Sequence, residues 1–159
     1  CDRLKKLRFI WFHATSKDNL NKINKEGFII NKKRNNEWLA YGIYMFLYKI
    51  DADSWTKGTY YCKNNPAIIK YFVEVEEYKY LDLDNPKEKS IYESYYDNIL
   101  LFMLKNDKSI EFKDKYEAMY WGLNIYKKDK EIDLIKYTFK NKRTKNIIKY
   151  GNTKYGYWS

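Results

Sequence analysis

Phe9-Ile10-Trp11-Phe12-His13-Ala14-Thr15-Ser16 is an apolar run that stops at a polar turn. Five consecutive large residues from Phe9 to His13 predict a buried strand. Ser16 and Asp18 are candidate caps for a helix that follows at once. Leu20, Ile23 and Phe28 give that helix an apolar stripe, and Gly27 stands where a C-cap is needed. His13, the only histidine of the chain, therefore falls at the end of a strand, just before a turn.

Outward from this unit the pattern continues to alternate. Phe28-Ile29-Ile30 predicts a short strand, and Asn31 to Glu37 a polar, basic loop. Leu39 to Leu47 is a second strand-like run with Gly42 inside it, where glycine marks a bulge or a close backbone approach. Asp51 to Lys63 has helical spacing and an acidic start that suits the helix dipole, and Pro66 breaks it. Ala67 to Val75 and Tyr80 to Leu83 predict strands. Ile91 to Leu104 and Tyr116 to Ile125 predict two helices packed on each other. Asp133 to Phe139 and Asn146 to Tyr150 predict closing strands, and Gly151 to Ser159 is a Gly/Tyr-rich tail. The expected fold class is α+β: one domain, with an antiparallel or mixed sheet and helices inserted between its strands.

Composition narrows the chemistry. With 159 residues and 45% hydrophobic content, the chain is long enough to bury a core. No apolar run approaches the ~18 residues of a membrane span, and the charged start Cys1-Asp2-Arg3-Leu4-Lys5-Lys6 has no apolar signal-peptide region. Two cysteines, Cys1 and Cys62, make no disulfide framework, and no Cys/His cluster has zinc spacing. A cytoplasmic protein without a metal or a membrane partner is expected. The net charge of +10 favours polyanionic partners, above all RNA or DNA. Abundant Lys, Asn, Ile and Tyr also fit an A·T-rich coding sequence, which inflates lysine by itself. One histidine and no clustered carboxylates argue against a metal-dependent or His-pair nuclease.

Order and spacing carry more than any single residue. His13-Ala14-Thr15 is followed by a helix ending in Gly27-Phe28, then by Trp38-Leu39-Ala40-Tyr41-Gly42-Ile43-Tyr44, then by Ala52 and Trp55, then by Tyr80-Leu81-Asp82-Leu83. This series resembles the ADP-ribosyltransferase family, in the His-Tyr-Glu branch of poly-ADP-ribose polymerases and diphtheria-toxin-like enzymes. It is most similar to small bacterial members reading His-Gly-Thr and then Leu-Gly-x-Gly-Ile-Tyr-Phe. The resemblance spans residues 9–83, about half of the chain.

The resemblance implies an ADP-ribosyltransferase-like split sheet and NAD as substrate. His13 would bond the adenosine-side ribose. The backbone of Ala14 would grip the nicotinamide carboxamide, and the Thr15 hydroxyl would support the same ribose pocket. Gly42 belongs to the same cofactor-binding set. Tyr44 would stack on the nicotinamide ring, and Trp55, eleven residues on, would cover its other part. Arg34, with Lys32 and Lys33, would reach the pyrophosphate, although a solvated basic loop explains these residues as well.

The family also places a Glu near a late strand, where its carboxylate stabilises the developing oxocarbenium ion. No late strand of this chain opens on a Glu. Glu111, Glu117 and Glu131 are the candidates, with Glu117 the one assigned here, and the motif is otherwise absent, replaced or beyond Ser159. The expected function is a NAD-dependent ADP-ribosyltransferase, a toxin or phage-defence effector modifying nucleic acid or protein, with an antitoxin as a possible partner. The alternative is a weak or inactive relative that binds a nucleotide ligand or nucleic acid. Tyr60 and Tyr61 are available for base stacking, and equally for helix packing.

Overall fold

A computed structural model describes residues 5–28, 39–58 and 64–138. They group into two compact units, one within Cys1–Lys33 and Gly42–Glu76, the other within Arg34–Tyr41 and Glu77–Ser159. The chain is mixed α+β: among the described residues there are four helices, one antiparallel strand pair and one parallel pair. No described helix is long and apolar enough to cross a membrane.

The first unit is built on strand β1 (Lys6–Ser16) paired antiparallel with β2 (Pro66–Glu76), from Lys6↔Glu76 to Ser16↔Pro66. Side chains alternate between faces along a strand. Leu7, Phe9, Trp11, His13 and Thr15 therefore share a face with Val75, Val73, Tyr71, Ile69 and Ala67. This face is covered, with Trp11 and Val75 both 6% exposed. The opposite face carries Arg8, Ile10 and Phe72, and Phe72 is 80% exposed. Glu74 on that face bonds Arg8 Nε at 2.8 Å and Lys6 Nζ at 3.3 Å, which holds its carboxyl below the usual range. Pairs this exposed add little stability.

Helix α1 (Lys17–Glu26) starts where β1 stops. Ser16 is the last strand residue and also the N-cap, its Oγ accepting from the Asn19 N–H. Gly27 ends the helix at φ 76°, a region that favours glycine, and its N–H reaches Ile23 O at 2.8 Å. Helix α2 (Lys49–Gly58) buries Ala52 and Thr56, one turn apart on a single face. Pro66, expected as a breaker, is the first residue of β2, a position where no ladder donor is lost.

In the second unit, β3 (Tyr80–Asp82) pairs in parallel with β4 (Leu134–Lys136). Helix α3 (Pro86–Lys105) begins at an Asn85 cap with proline in its first turn, and α4 (Lys115–Asp129) begins at an Asp114 cap. Leu81, Leu83, Tyr92, Leu123, Tyr126 and Ile132 form the core, together with Ala40. Gly122 lets α3 and α4 approach, since a Cβ there would stand 2.5 Å from Tyr92 Oη and 2.6 Å from the Tyr96 ring.

The expected strand from Leu39 to Leu47 does not form. Only Phe46 makes a strand-like bridge, and residues 39–45 are irregular. The apolar run is shared between two cores. Ala40 is buried in the second unit, where the Tyr41 N–H donates to Asn124 Oδ1 and the Tyr41 carbonyl accepts from Lys127 Nζ, both at 2.9 Å. Gly42 to Phe46 belong to the first unit. Ile29, Ile30, the 31–37 loop, Trp38, Tyr60, Tyr61 and the expected strand at 146–150 lie outside the described residues, as do Cys1, Cys62 and the tail.

The tyrosines of the second unit have a consequence for pH. Burial, then the charges of Asp84 and Glu93, push the Tyr137 phenol up to about 12, and burial raises Tyr80 and Tyr92 further. A phenol raised in the folded state favours folding below its unfolded pKa of about 10 and loses that contribution as pH rises through the folded value. Between about pH 10 and 12 the second unit is therefore expected to lose stability. Phenolate absorbance and far-ultraviolet circular dichroism followed together check this. A late-ionising set of tyrosines should appear in step with helix loss, rather than all ionising while the helices persist.

Candidate functional site

The His-x-Thr tract lies at the C-terminal end of β1, where β1 has neighbours on both edges. On one edge His13 faces Ile69, Ala14 faces Ile68 and Thr15 faces Ala67 in β2. On the other edge Phe12 exchanges both backbone hydrogen bonds with Phe46, at 2.8 and 2.6 Å. A strand residue sends its N–H and C=O to the same side, and successive residues alternate. Ala14, two residues after Phe12, therefore directs its backbone N–H and C=O toward the edge of the 42–46 segment and away from the β2 ladder.

His13 joins the two tracts directly. Its Nδ1 lies 2.8 Å from the carbonyl oxygen of Tyr44. A carbonyl only accepts, so Nδ1 carries the proton in this bond, and in the neutral ring Nε2 is then the acceptor nitrogen. Phe28, just past the Gly27 cap, meets the imidazole edge to face at 5.3 Å, and its other neighbour is Tyr71 at 5.1 Å. The polar bond to Tyr44 and the aromatic wall of Phe28 both orient the ring. Thr15 is buried, while Ala14, Gly42 and Tyr44 are half-buried.

Trp55 projects from α2 with 40% of its surface exposed, and its ring meets that of Phe46 at 5.9 Å and 46°. The buried Ala52 and Thr56 fix which way this helix faces, and Trp55 stands on its flank. His13, Ala14, Thr15, Gly42, Tyr44 and Trp55 accordingly all belong to the first unit. Phe28 and Phe46 are added by the structure. Phe46 was visible in the second tract, but nothing in its spacing distinguished it from core, and Phe28 read as the end of a helix stripe and the start of a short strand, not as a wall against His13.

Glu117 belongs to the second unit, in the first turn of α4. Its Oε2 accepts the Lys113 N–H at 2.6 Å while its own N–H donates to Asp114 Oδ1 at 2.9 Å. The pair resembles a capping box, except that the Glu117 carboxylate returns to the N–H of Lys113, the residue before the cap, and not to that of Asp114. Arg34, Lys32 and Lys33 lie outside the described residues. Among the described residues no three His, Cys, Asp or Glu side chains converge as metal ligands.

Comparison with family models, curated proteins and solved structures finds no match for this chain.

Proposed function

We propose that the chain is a NAD-dependent ADP-ribosyltransferase whose dinucleotide site is built on the first unit. The observation that carries this reading is the 2.8 Å contact from His13 Nδ1 to the Tyr44 carbonyl, beside the Phe12–Phe46 bridge. It sets a His-x-Thr tract alongside a Gly-x-Tyr tract, the pairing on which the sequence resemblance rests.

The roles follow from the chemistry of each group. Nε2 of His13 accepts a hydrogen bond from a ribose hydroxyl. The Ala14 N–H and C=O, directed toward the edge of the 42–46 segment, hold the carboxamide of nicotinamide as donor and acceptor. Tyr44 and Trp55 supply ring faces for the nicotinamide. Held this way, the glycosidic bond of NAD⁺ breaks with its electron pair leaving on nicotinamide. The ribose carbon then bonds an acceptor oxygen or nitrogen, which gives up a proton. In this account His13 positions the substrate and transfers no proton. A toxin or phage-defence effector in the cytoplasm, opposed by an antitoxin, is the setting that the resemblance to bacterial members implies. Nucleic acid is the favoured acceptor for a chain of net charge +10.

A second reading keeps the site and removes the chemistry. The strand positions facing His13, Ala14 and Thr15 are Ile69, Ile68 and Ala67, none of them acidic, and the Glu117 carboxylate accepts the Lys113 N–H at the start of α4. A nucleotide-binding module without turnover fits those two facts.

Transfer of label separates the two. NAD⁺ labelled in its adenylate half is incubated with the chain and, separately, RNA, DNA or cell protein. Covalent label on RNA or DNA is expected. Label on protein alone would replace the nucleic-acid acceptor, and binding without transfer would select the second reading.

A further inference from the structure

The face of the β1–β2 pair opposite His13 carries a run of exposed side chains: Lys6, Arg8 and Ile10 from β1, with Lys70, Phe72 and Glu74 from β2. Ile10 and Phe72 are cross-strand partners, 45% and 80% exposed. Among the described residues no other ring and no ammonium group stands against Phe72. Residues two apart on a strand lie about 7 Å from each other. Lys70 and Arg8 therefore stand at opposite ends of the Ile10–Phe72 pair, with Lys6 beyond Arg8. The exposed carboxylate of this face, Glu74, takes Arg8 through Nε at 2.8 Å and Lys6 Nζ at 3.3 Å. A bond through Nε leaves the Nη donors of Arg8 to solvent, and its side chain is 78% exposed. Glu74 thus orients the guanidinium without using up its outward donors. Glu76, opposite Lys6, is half-buried.

We infer that this face binds a single strand of nucleic acid, with a base stacked on Phe72 beside Ile10 and phosphates held by Arg8 and Lys70. One exposed ring by itself needs no explanation. A ring with an apolar neighbour and a cation at each end has the composition of a stacking platform, on which any unpaired base can lie. Bases in a duplex are stacked on each other and offer the ring no free face. The net charge of +10 favours a polyanion as the occupant. A second copy of the chain fits less well: two apolar side chains fall far short of the ~800 Å² per partner of a stable dimer. The choice of partner rests on the nucleic-acid acceptor proposed above, while binding itself needs no NAD⁺.

The test is fluorescence anisotropy of a labelled oligothymidylate of about 12 nucleotides, titrated with the whole chain in the absence of NAD⁺. The same strand paired with oligoadenylate is the duplex control. Tighter binding of the single strand is expected, weakening between about 50 and 200 mM salt. Phe72→Ala and Phe72→Leu should each weaken it about tenfold, and Phe72→Trp should keep it. Circular dichroism should be unchanged in all three, since the side chain is exposed. Lys70→Ala should make the salt dependence shallower by about one phosphate contact. Nicotinamide release from NAD⁺ alone, followed in the same variants, keeps the two readings apart. Phe72-dependent binding in a chain that releases no nicotinamide would uphold this face and sink the transferase. Release with no loss of binding in Phe72→Ala would do the reverse. No binding of the single strand, no preference over the duplex, full affinity in Phe72→Leu, or a Phe72-dependent dimer in place of binding would also overturn it.

Discussion

Replacing His13 with alanine is expected to lower nicotinamide release from NAD⁺ by at least ~100-fold, because a misplaced substrate loses most of the advantage of positioning. The variant loses the bond to the Tyr44 carbonyl as well as the proposed ribose contact, so the 42–46 segment loses one of its ties to β1. The Phe12–Phe46 backbone bridge does not depend on that side chain and should hold the segment in place. Tyr44→Ala removes a ring face and leaves the His13 bond, which uses the Tyr44 backbone. It should therefore raise the Kd for NAD⁺ and lower the rate, with the fold intact by circular dichroism. His13→Ala and Tyr44→Ala together should cost little more than the worse single variant, since both serve one pose. Full activity in either single variant would remove the site from consideration.

Leu123→Ala is expected to cost about 2–5 kcal/mol, because Leu123 is fully buried at the centre of the second unit and its removal leaves a cavity. Collapse around the gap is hindered on one side. Gly122 beside it is already in close approach to the Tyr92 and Tyr96 rings. Against a total stability of roughly 5–15 kcal/mol such a loss is large. Urea unfolding should show a lower midpoint with an unchanged slope. A loss below about 1 kcal/mol would mean that this core is not packed as described.

What could be read from the chain differs by element. β1, its Ser16 cap and the Gly27 stop were legible because each is a local signal. β2 was legible from its apolar run Ala67 to Val75, which alternates with polar residues in its C-terminal half. The register between them joins residues 50 to 70 positions apart, and no local pattern encodes it. The start of α3 was missed by five residues. Apolar spacing begins at Ile91, whereas the helix begins at Asn85-Pro86, a cap and first-turn proline whose side-chain acceptor bonds the Lys87 N–H at 3.0 Å. The Leu39–Leu47 run misled because hydrophobicity says that a residue is buried and not in which core. The candidate site was legible as two tracts. That Nδ1 of His13 bonds a backbone carbonyl, and that Phe28 walls the ring, needed the fold.

Nicotinamide release by the purified chain is the most direct measurement. With NAD⁺ labelled in the nicotinamide ring, the wild-type chain should liberate label in the presence of RNA or DNA, and His13→Ala and Tyr44→Ala should not. Tight NAD⁺ binding without release, or no binding at all, would contradict the assignment of a transferase.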